Sequence, residues 1–211
     1  MNPLRCVIIF VMLSSGEEKA WEMLISLDPS DVRRKASVSY DKNLNHYVLR
    51  SFCSDFYIKP ESKTIHSSDP TGDFILKRYG YFFTHSCLWY LIHAKDLPLT
   101  ERLIKPVNIP GGEMFFRGSH VLPLDNLAGK YGADRDVFLK RGKELCAKIL
   151  PYGDTSLKLL PMPRIPVILI LWLKDEEFPP GADLLLNSTC EMQLPLDIIW
   201  SISMLSVLVM M

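Results

Sequence analysis

Six consecutive residues, Val167-Ile168-Leu169-Ile170-Leu171-Trp172, are apolar, so no polar face alternates with a hydrophobic one. A run of this length is short for a helix and half of it is β-branched, which marks a strand covered on both faces. Such a strand must lie inside a sheet, because its backbone N–H and C=O groups need a neighbour on either edge. Residues 155–160 and 183–187 supply those neighbours, and a three-stranded antiparallel meander is the expected result.

The cover for that sheet has to come from the helical segments. Ile75, Tyr79, Phe82, Phe83, Ser86, Cys87, Tyr90 and Ala94 recur at helical spacing, and no charge falls between Arg78 and Lys95. This pattern predicts a buried central helix over 74–95, capped by Asp73 and stopped by Leu97-Pro98. Amphipathic helices are expected at 17–27 (Ala20, Trp21, Leu24 and Ile25 inward), 30–36, 125–131 and 134–149 (Phe138, Leu145 and Ile149 inward). A last helix should start near Pro195. Tyr47 to Phe52 and Phe56 to Ile58 are β-rich runs flanking Cys53-Ser54-Asp55, which reads as an N-terminal hairpin. The fold class is therefore α+β: mainly antiparallel sheet, as an N-terminal hairpin and a C-terminal meander, packed on a buried central helix and amphipathic helices.

A chain of 211 residues can bury a sizeable core, and one globular domain is expected over 17–211 after an atypical N-terminal extension over 1–16. Within that extension Arg5 precedes the apolar run Cys6 to Leu13. A core strand or helix is the favoured reading there; an extension from an upstream start codon and an export signal are the alternatives, the last weakened by a short core and no A-x-A site. The uncharged stretches 80–92 and 198–211 fall short of the roughly 20 residues that cross a bilayer, so no membrane span is expected.

The charge balance, 24 basic against 24 acidic residues, argues against nucleic acid, whose phosphates demand a cationic surplus. The longest basic run, Arg33-Arg34-Lys35, lies beside Asp31 and reads as a solvated helix face. Cys6, Cys53, Cys87, Cys146 and Cys190 are odd in number and scattered, with no C-x-x-C pair, so no iron–sulfur or zinc motif is present. Cys87 and Cys146 fall in apolar helical patterns and are expected to be buried thiols, in a reducing, cytoplasmic compartment.

Four places are candidates for chemistry. His85 and His93 on the apolar helix are weak candidates for a metal or tetrapyrrole, although a core histidine bonded to a carbonyl is the commoner occupant of such a position. Gly111 and Gly112 permit close backbone approach to a ligand, yet the spacing fits neither phosphate-loop nor dinucleotide fingerprints and suits a sharp turn. Arg117 and His120 follow an aromatic pair and could hold a carboxylate or phosphate. Asp175, Glu176 and Glu177 emerge from the central strand and are fixed by Pro179-Pro180. Arg164 enters the same strand, close in sequence to Asp154; these carboxylates could bind a hard cation or act as a base, although a solvated acidic turn is the commoner account of such a loop. No nucleophile elbow, H-E-x-x-H, P-loop or kinase signature is present.

Several blocks carry a family resemblance: Tyr90-Leu91-Ile92-His93-Ala94-Lys95-Asp96-Leu97-Pro98-Leu99-Thr100, Pro110-Gly111-Gly112 with Phe115-Phe116, and Tyr152-Gly153-Asp154. The clearest runs from Pro163-Arg164-Ile165-Pro166 through Asp175-Glu176-Glu177-Phe178-Pro179-Pro180 to Leu194-Pro195. Over roughly residues 20–211 the chain resembles the domain of unknown function 3786 family. The resemblance implies a cytoplasmic protein of anaerobic bacteria and archaea, and it carries no activity. Some relatives look to be joined to an iron–sulfur domain of the type seen with corrinoid proteins, whose cysteines this chain lacks. The expected function is thus a ligand- or partner-binding accessory protein of one-carbon, corrinoid-linked or redox metabolism, with a corrinoid or other tetrapyrrole as the candidate cofactor. Its cleft should lie near 175–180 and 110–120. The alternative is an enzyme using the acidic loop as base or metal site, with Arg164 or His120 holding an anionic substrate.

Overall fold

In the computed structural model, which describes residues 16–211, residues 16–26 are helical (α1). The apolar run 6–13 lies outside the described residues. Ala20, Trp21 and Leu24 of α1 are buried, but Ile25 is 48% exposed, so the inner face is narrower than its pattern suggests. Helix α2 (Pro29–Ala36) starts where the Asp28 carboxylate accepts from Ser30 N and Pro29 takes the first turn. Its basic run is a solvated face, with Arg34 and Lys35 pairing to Asp31 at 3.1 and 3.0 Å.

The expected hairpin is the centre of a four-stranded antiparallel meander, β1 (Ser39–Asp41), β2 (His46–Ser51), β3 (Ser54–Lys59) and β4 (Thr64–Ser67). Its β2–β3 turn is shorter than the Cys53-Ser54-Asp55 reading. Phe52 and Cys53 form it, both left-handed (φ 46° and 76°), as a two-residue hairpin requires.

Helix α3 (Pro70–His93) begins one turn earlier than the pattern predicts, because Asp69 rather than Asp73 is the cap, accepting from Gly72 N at 2.9 Å. It kinks at Tyr79 (φ −128°). Ile75, Phe83, Cys87, Tyr90 and Leu91 are buried while Phe74 and Tyr81 are nearly half exposed, so one side of α3 faces outward.

The rest of the chain builds a five-stranded sheet. Its parts are β5 (Leu103–Ile104), α4 (Gly112–Phe115), α5 (Leu124–Tyr131), α6 (Arg135–Glu144), β6 (Lys148–Leu150), β7 (Thr155–Met162), β8 (Ile165–Trp172) and β9 (Gly181–Asn187). Then come α7 (Cys190–Gln193) and α8 (Leu196–Leu208). All pairs are antiparallel in the order β5-β9-β8-β7-β6, so the all-apolar run is the middle strand, buried along its length except at Trp172. The helix buried nearly all round is α8. Its Ser203 and Ser206 hydroxyls donate to the carbonyls of Ile199 and Ile202, and Ser201 meets Ser86 of α3 at 3.0 Å.

Helix α6 ends at Glu144, short of the predicted 149. Cys146 is left-handed (φ 53°) and turns the chain into edge strand β6, which leaves Ile149 61% exposed rather than inward. Cys146 is also neither buried nor free: it is exposed and disulfide-bonded to Cys53 across 93 residues, joining the two sheets beside the bond from Phe52 N to Leu160 O (3.1 Å). Cys87 is a buried free thiol, as expected. Disulfides are rare in reducing compartments, so the cysteines alone no longer argue for one. Among the described residues no helix is long and apolar enough to cross a membrane.

Tyr90 ties three elements together. Its buried hydroxyl donates to Ala36 O at the end of α2 (2.7 Å) and accepts from Arg164 N at the start of β8 (3.1 Å). Tyr90→Phe leaves both backbone groups without that partner. It should cost about 1–3 kcal/mol, read as a lower denaturant midpoint at unchanged m-value. An unmoved midpoint would show that the hydroxyl contributes nothing.

Candidate functional site

The acidic loop and Arg164 do not meet. Arg164 precedes β8 and Asp175 follows it, so roughly 25 Å of strand lies between them. Arg164 is spent on the fold: Nε donates to Lys35 O (2.8 Å), Nη1 to Leu97 O (3.3 Å), and Nη2 to Arg34 O (3.3 Å) and to the Asp96 carboxylate. It satisfies carbonyls left open where α2 ends. Asp154 lies at the other end of β7 from Arg164, near the acidic loop, and its Oδ2 accepts from Leu173 N at 2.7 Å. Asp175 Oδ1 accepts from Glu177 N and Phe178 N (2.8 and 2.7 Å), while Glu176 and Glu177 are exposed. The loop lies against the end of α5: Gly132 O accepts from Lys174 N, and a Cβ on Gly132 would stand 2.1 Å from Pro180. Grouping Arg164 with Asp154 or with the acidic loop is therefore corrected by the topology.

Gly111 caps α4 in a left-handed conformation (φ 79°), and a Cβ on Gly112 would fall 2.2 Å from Pro106 O. The glycine pair is thus required by a turn packed on itself. Arg117 pairs with Glu113 at 2.8 Å, whereas His120 stacks on Phe115 (centroids 4.5 Å) and its carbonyl accepts from Trp200 Nε1 at 2.8 Å. The two side chains turn to different partners.

On the outward side of α3, Trp89 stands between His85 and His93, with centroid distances of 6.4 and 5.3 Å. An indole between the imidazoles keeps them from sharing one ion. Among the described residues no three His, Cys, Asp or Glu side chains could hold a metal. Burial pushes both histidines below the usual imidazole range, and the Asp197 carboxylate opposes this in each.

What the topology does assemble is a cleft of about 240 Å³ lined by Lys105, Pro106, Val107, Phe116, Val121, Leu122, Leu124, Asp183 and Leu184. Pairing of β5 with β9 (Ile104 opposite Leu186) brings Lys105 onto the start of β9, and its ammonium meets Asp183 Oδ1 at 2.7 Å. On the other flank Trp172 Nε1 donates to Asp183 Oδ2 (3.4 Å), setting a 46% exposed indole beside the cleft. The floor is apolar and the charge sits at the rim. A more polar hollow of about 350 Å³ lies at Asp28, Ser30, Arg33, Tyr40 and Lys42, but there Asp28 itself occupies the start of α2. Lys105, Val121, Leu122 and Asp183 are invisible to motif reasoning. The only local signal is the Pro106, Pro110 and glycine-pair punctuation, which marks a folded-back loop.

Fold and cleft together define an α+β protein with two antiparallel sheets and an apolar surface pocket. The family model described as Domain of unknown function (DUF3786) matches residues 28–208, and the chain belongs to that family. No curated protein and no solved structure matches it.

The half-buried imidazoles of His85 and His93 make stability pH-dependent. With folded values below 6.5, the unfolded chain binds protons that the folded one does not. Stability is complete above that value and falls as pH drops through the window beneath it. His85→Gln should flatten the decline of thermal midpoint below pH 6.5; an unchanged slope would remove His85 from the account.

Proposed function

We propose that this chain is an accessory protein that binds another polypeptide through the 105–124/183–184 cleft, in cytoplasmic anaerobic one-carbon, corrinoid-linked or redox metabolism. The observation that carries the reading is the cleft's anatomy: an apolar pocket, a charged pair at its lip, and exposed apolar neighbours around it. Val107, Val121 and Trp172 are 43%, 57% and 46% exposed, more apolar rim than a small ligand seated in the pocket would cover. A partner's apolar side chain fills such a pocket while its flanking backbone covers the rim. The Lys105–Asp183 pair is half exposed, contributes little to stability, and is easily opened to an incoming charge. At about 240 Å³ the pocket cannot engulf a tetrapyrrole macrocycle, so a corrinoid would arrive carried by the partner. An enzyme built on Asp175, Glu176 or Glu177 has less support, because Arg164 lies at the opposite end of β8 and is already bonded to carbonyls.

The test is an anaerobic titration of the full chain against a purified corrinoid-carrying protein, with free corrinoid as a second titrant. Val121→Asp, at an exposed rim position, should weaken binding of the corrinoid-carrying protein by about tenfold or more with the near-ultraviolet spectrum unchanged. Affinity for neither titrant would overturn the assignment to corrinoid metabolism. Binding indifferent to Val121→Asp would overturn the cleft as its seat.

A further inference from the structure

The cross-link between the sheets has the surroundings of an exchange site rather than of a sealed staple. Cys53 and Cys146 have Cα atoms 5.3 Å apart, inside the range a disulfide spans without moving backbone. Both occupy left-handed turn positions, φ 76° and 53°, where an L-residue with a Cβ is disfavoured and Gly or Asn is usual. Two cysteines at such positions, facing each other across 93 residues, point to the sulfurs rather than the backbone as the reason for their presence. As whole residues Cys146 is exposed and Cys53 is half-buried, so the bond lies within reach of an incoming thiolate. Cys53 Sγ has a cation beside it: Arg50 Nη2 lies 3.8 Å from it while Nη1 is held by Asp55 at 3.0 Å. A guanidinium so placed stabilises negative charge on the sulfur that leaves.

We propose that Cys53–Cys146 is a thiol–disulfide exchange site that takes dithiols as reductants and disulfides as oxidants. A dithiol's thiolate attacks Cys146 Sγ, the S–S bond breaks, and its electron pair passes to Cys53 Sγ, which leaves as a thiolate beside Arg50. The second thiol of the reductant, as thiolate, then attacks its own sulfur in the mixed disulfide and releases Cys146 as a thiolate. Two electrons have moved: the dithiol has become a disulfide, and the protein disulfide has become two thiols. The reverse steps, run with a disulfide oxidant, close the link again. Opening frees the β2–β3 turn from the α6–β6 turn while the backbone bond from Phe52 N to Leu160 O still joins the sheets. Cys87 and Cys190 do not compete, because both are buried and burial pushes their thiols far up, Cys190 to about 12. This site is independent of the cleft.

The test equilibrates the full chain, without oxygen, in graded ratios of reduced to oxidised dithiothreitol, followed by acid quench, alkylation and peptide mass mapping. Cys53 and Cys146 should pass together from a cross-linked peptide to two alkylated ones, while Cys87 and Cys190 stay unreactive until the chain is denatured. Arg50→Gln, at an exposed position, should slow reduction by about threefold or more. No 53–146 cross-link at the most oxidising ratio, or independent labelling of the two cysteines, would overturn the site. An unchanged reduction rate in Arg50→Gln would overturn the assignment of Cys53 as the leaving sulfur.

Discussion

Because β8 has no polar face, the sheet it centres must be covered on both sides, and the chain's order of elements follows from that need. Helices α5 and α6 lie against β7, β8 and β9, while α8 and the first sheet, through β2, lie against β7. Each cover also consumes polar groups. Ser203 and Ser206 of α8 bond back into their own helix, Ser201 bonds to Ser86 and to Phe82 O of α3, and Asn187 at the end of β9 accepts from Thr100 and Thr189 while donating to Thr100 O at 2.6 Å. A buried polar group without a partner is costly, and these groups each find one.

Much of this architecture is legible in the sequence because it rests on local pattern. The apolar run, the hairpin, the 74–95 periodicity and the C-terminal helix all correspond to elements within a few residues. The misreadings have a common physical cause, a residue whose conformation is set from outside its own segment. Asp69 takes the cap from Asp73 because Ser54 of the first sheet also donates to it at 2.8 Å. Cys146 breaks the helical pattern of 134–149 with a left-handed residue that no periodicity contains. Ile25 and Ile149 are apolar yet exposed, since hydrophobicity says what a side chain prefers and not whether anything packs on it.

The candidate site was less legible than the fold. Sequence proximity grouped Arg164 with Asp154, but a strand separates whatever stands at its two ends, and eight residues of β7 lie between them. The cleft was expected near 175–180 and 110–120, yet no residue of 175–180 lines it and 110–120 contributes Phe116 alone. The residues that line the cleft come from positions 105–124 and 183–184, brought together by the β5–β9 register and by the packing of α5 on β9. A cleft of mostly apolar side chains has no motif, because its chemistry is shape rather than reactive groups.

Charge use separates the two ends of the molecule. Arg164 makes four bonds with its side chain 21% exposed, so any ligand would have to replace bonds that hold α2 and the segment after α3 in place. Lys105 makes one bond, to Asp183, with its side chain 51% exposed, and exchanging that partner disturbs nothing else in the fold. A cation already committed to structure is a poor recognition element, whereas one held loosely at the lip of an apolar pocket is a good one. The same reasoning applies to Arg50, whose exposed guanidinium is divided between Asp55 and the Cys53 sulfur: it can respond to charge appearing on that sulfur without loosening the sheet.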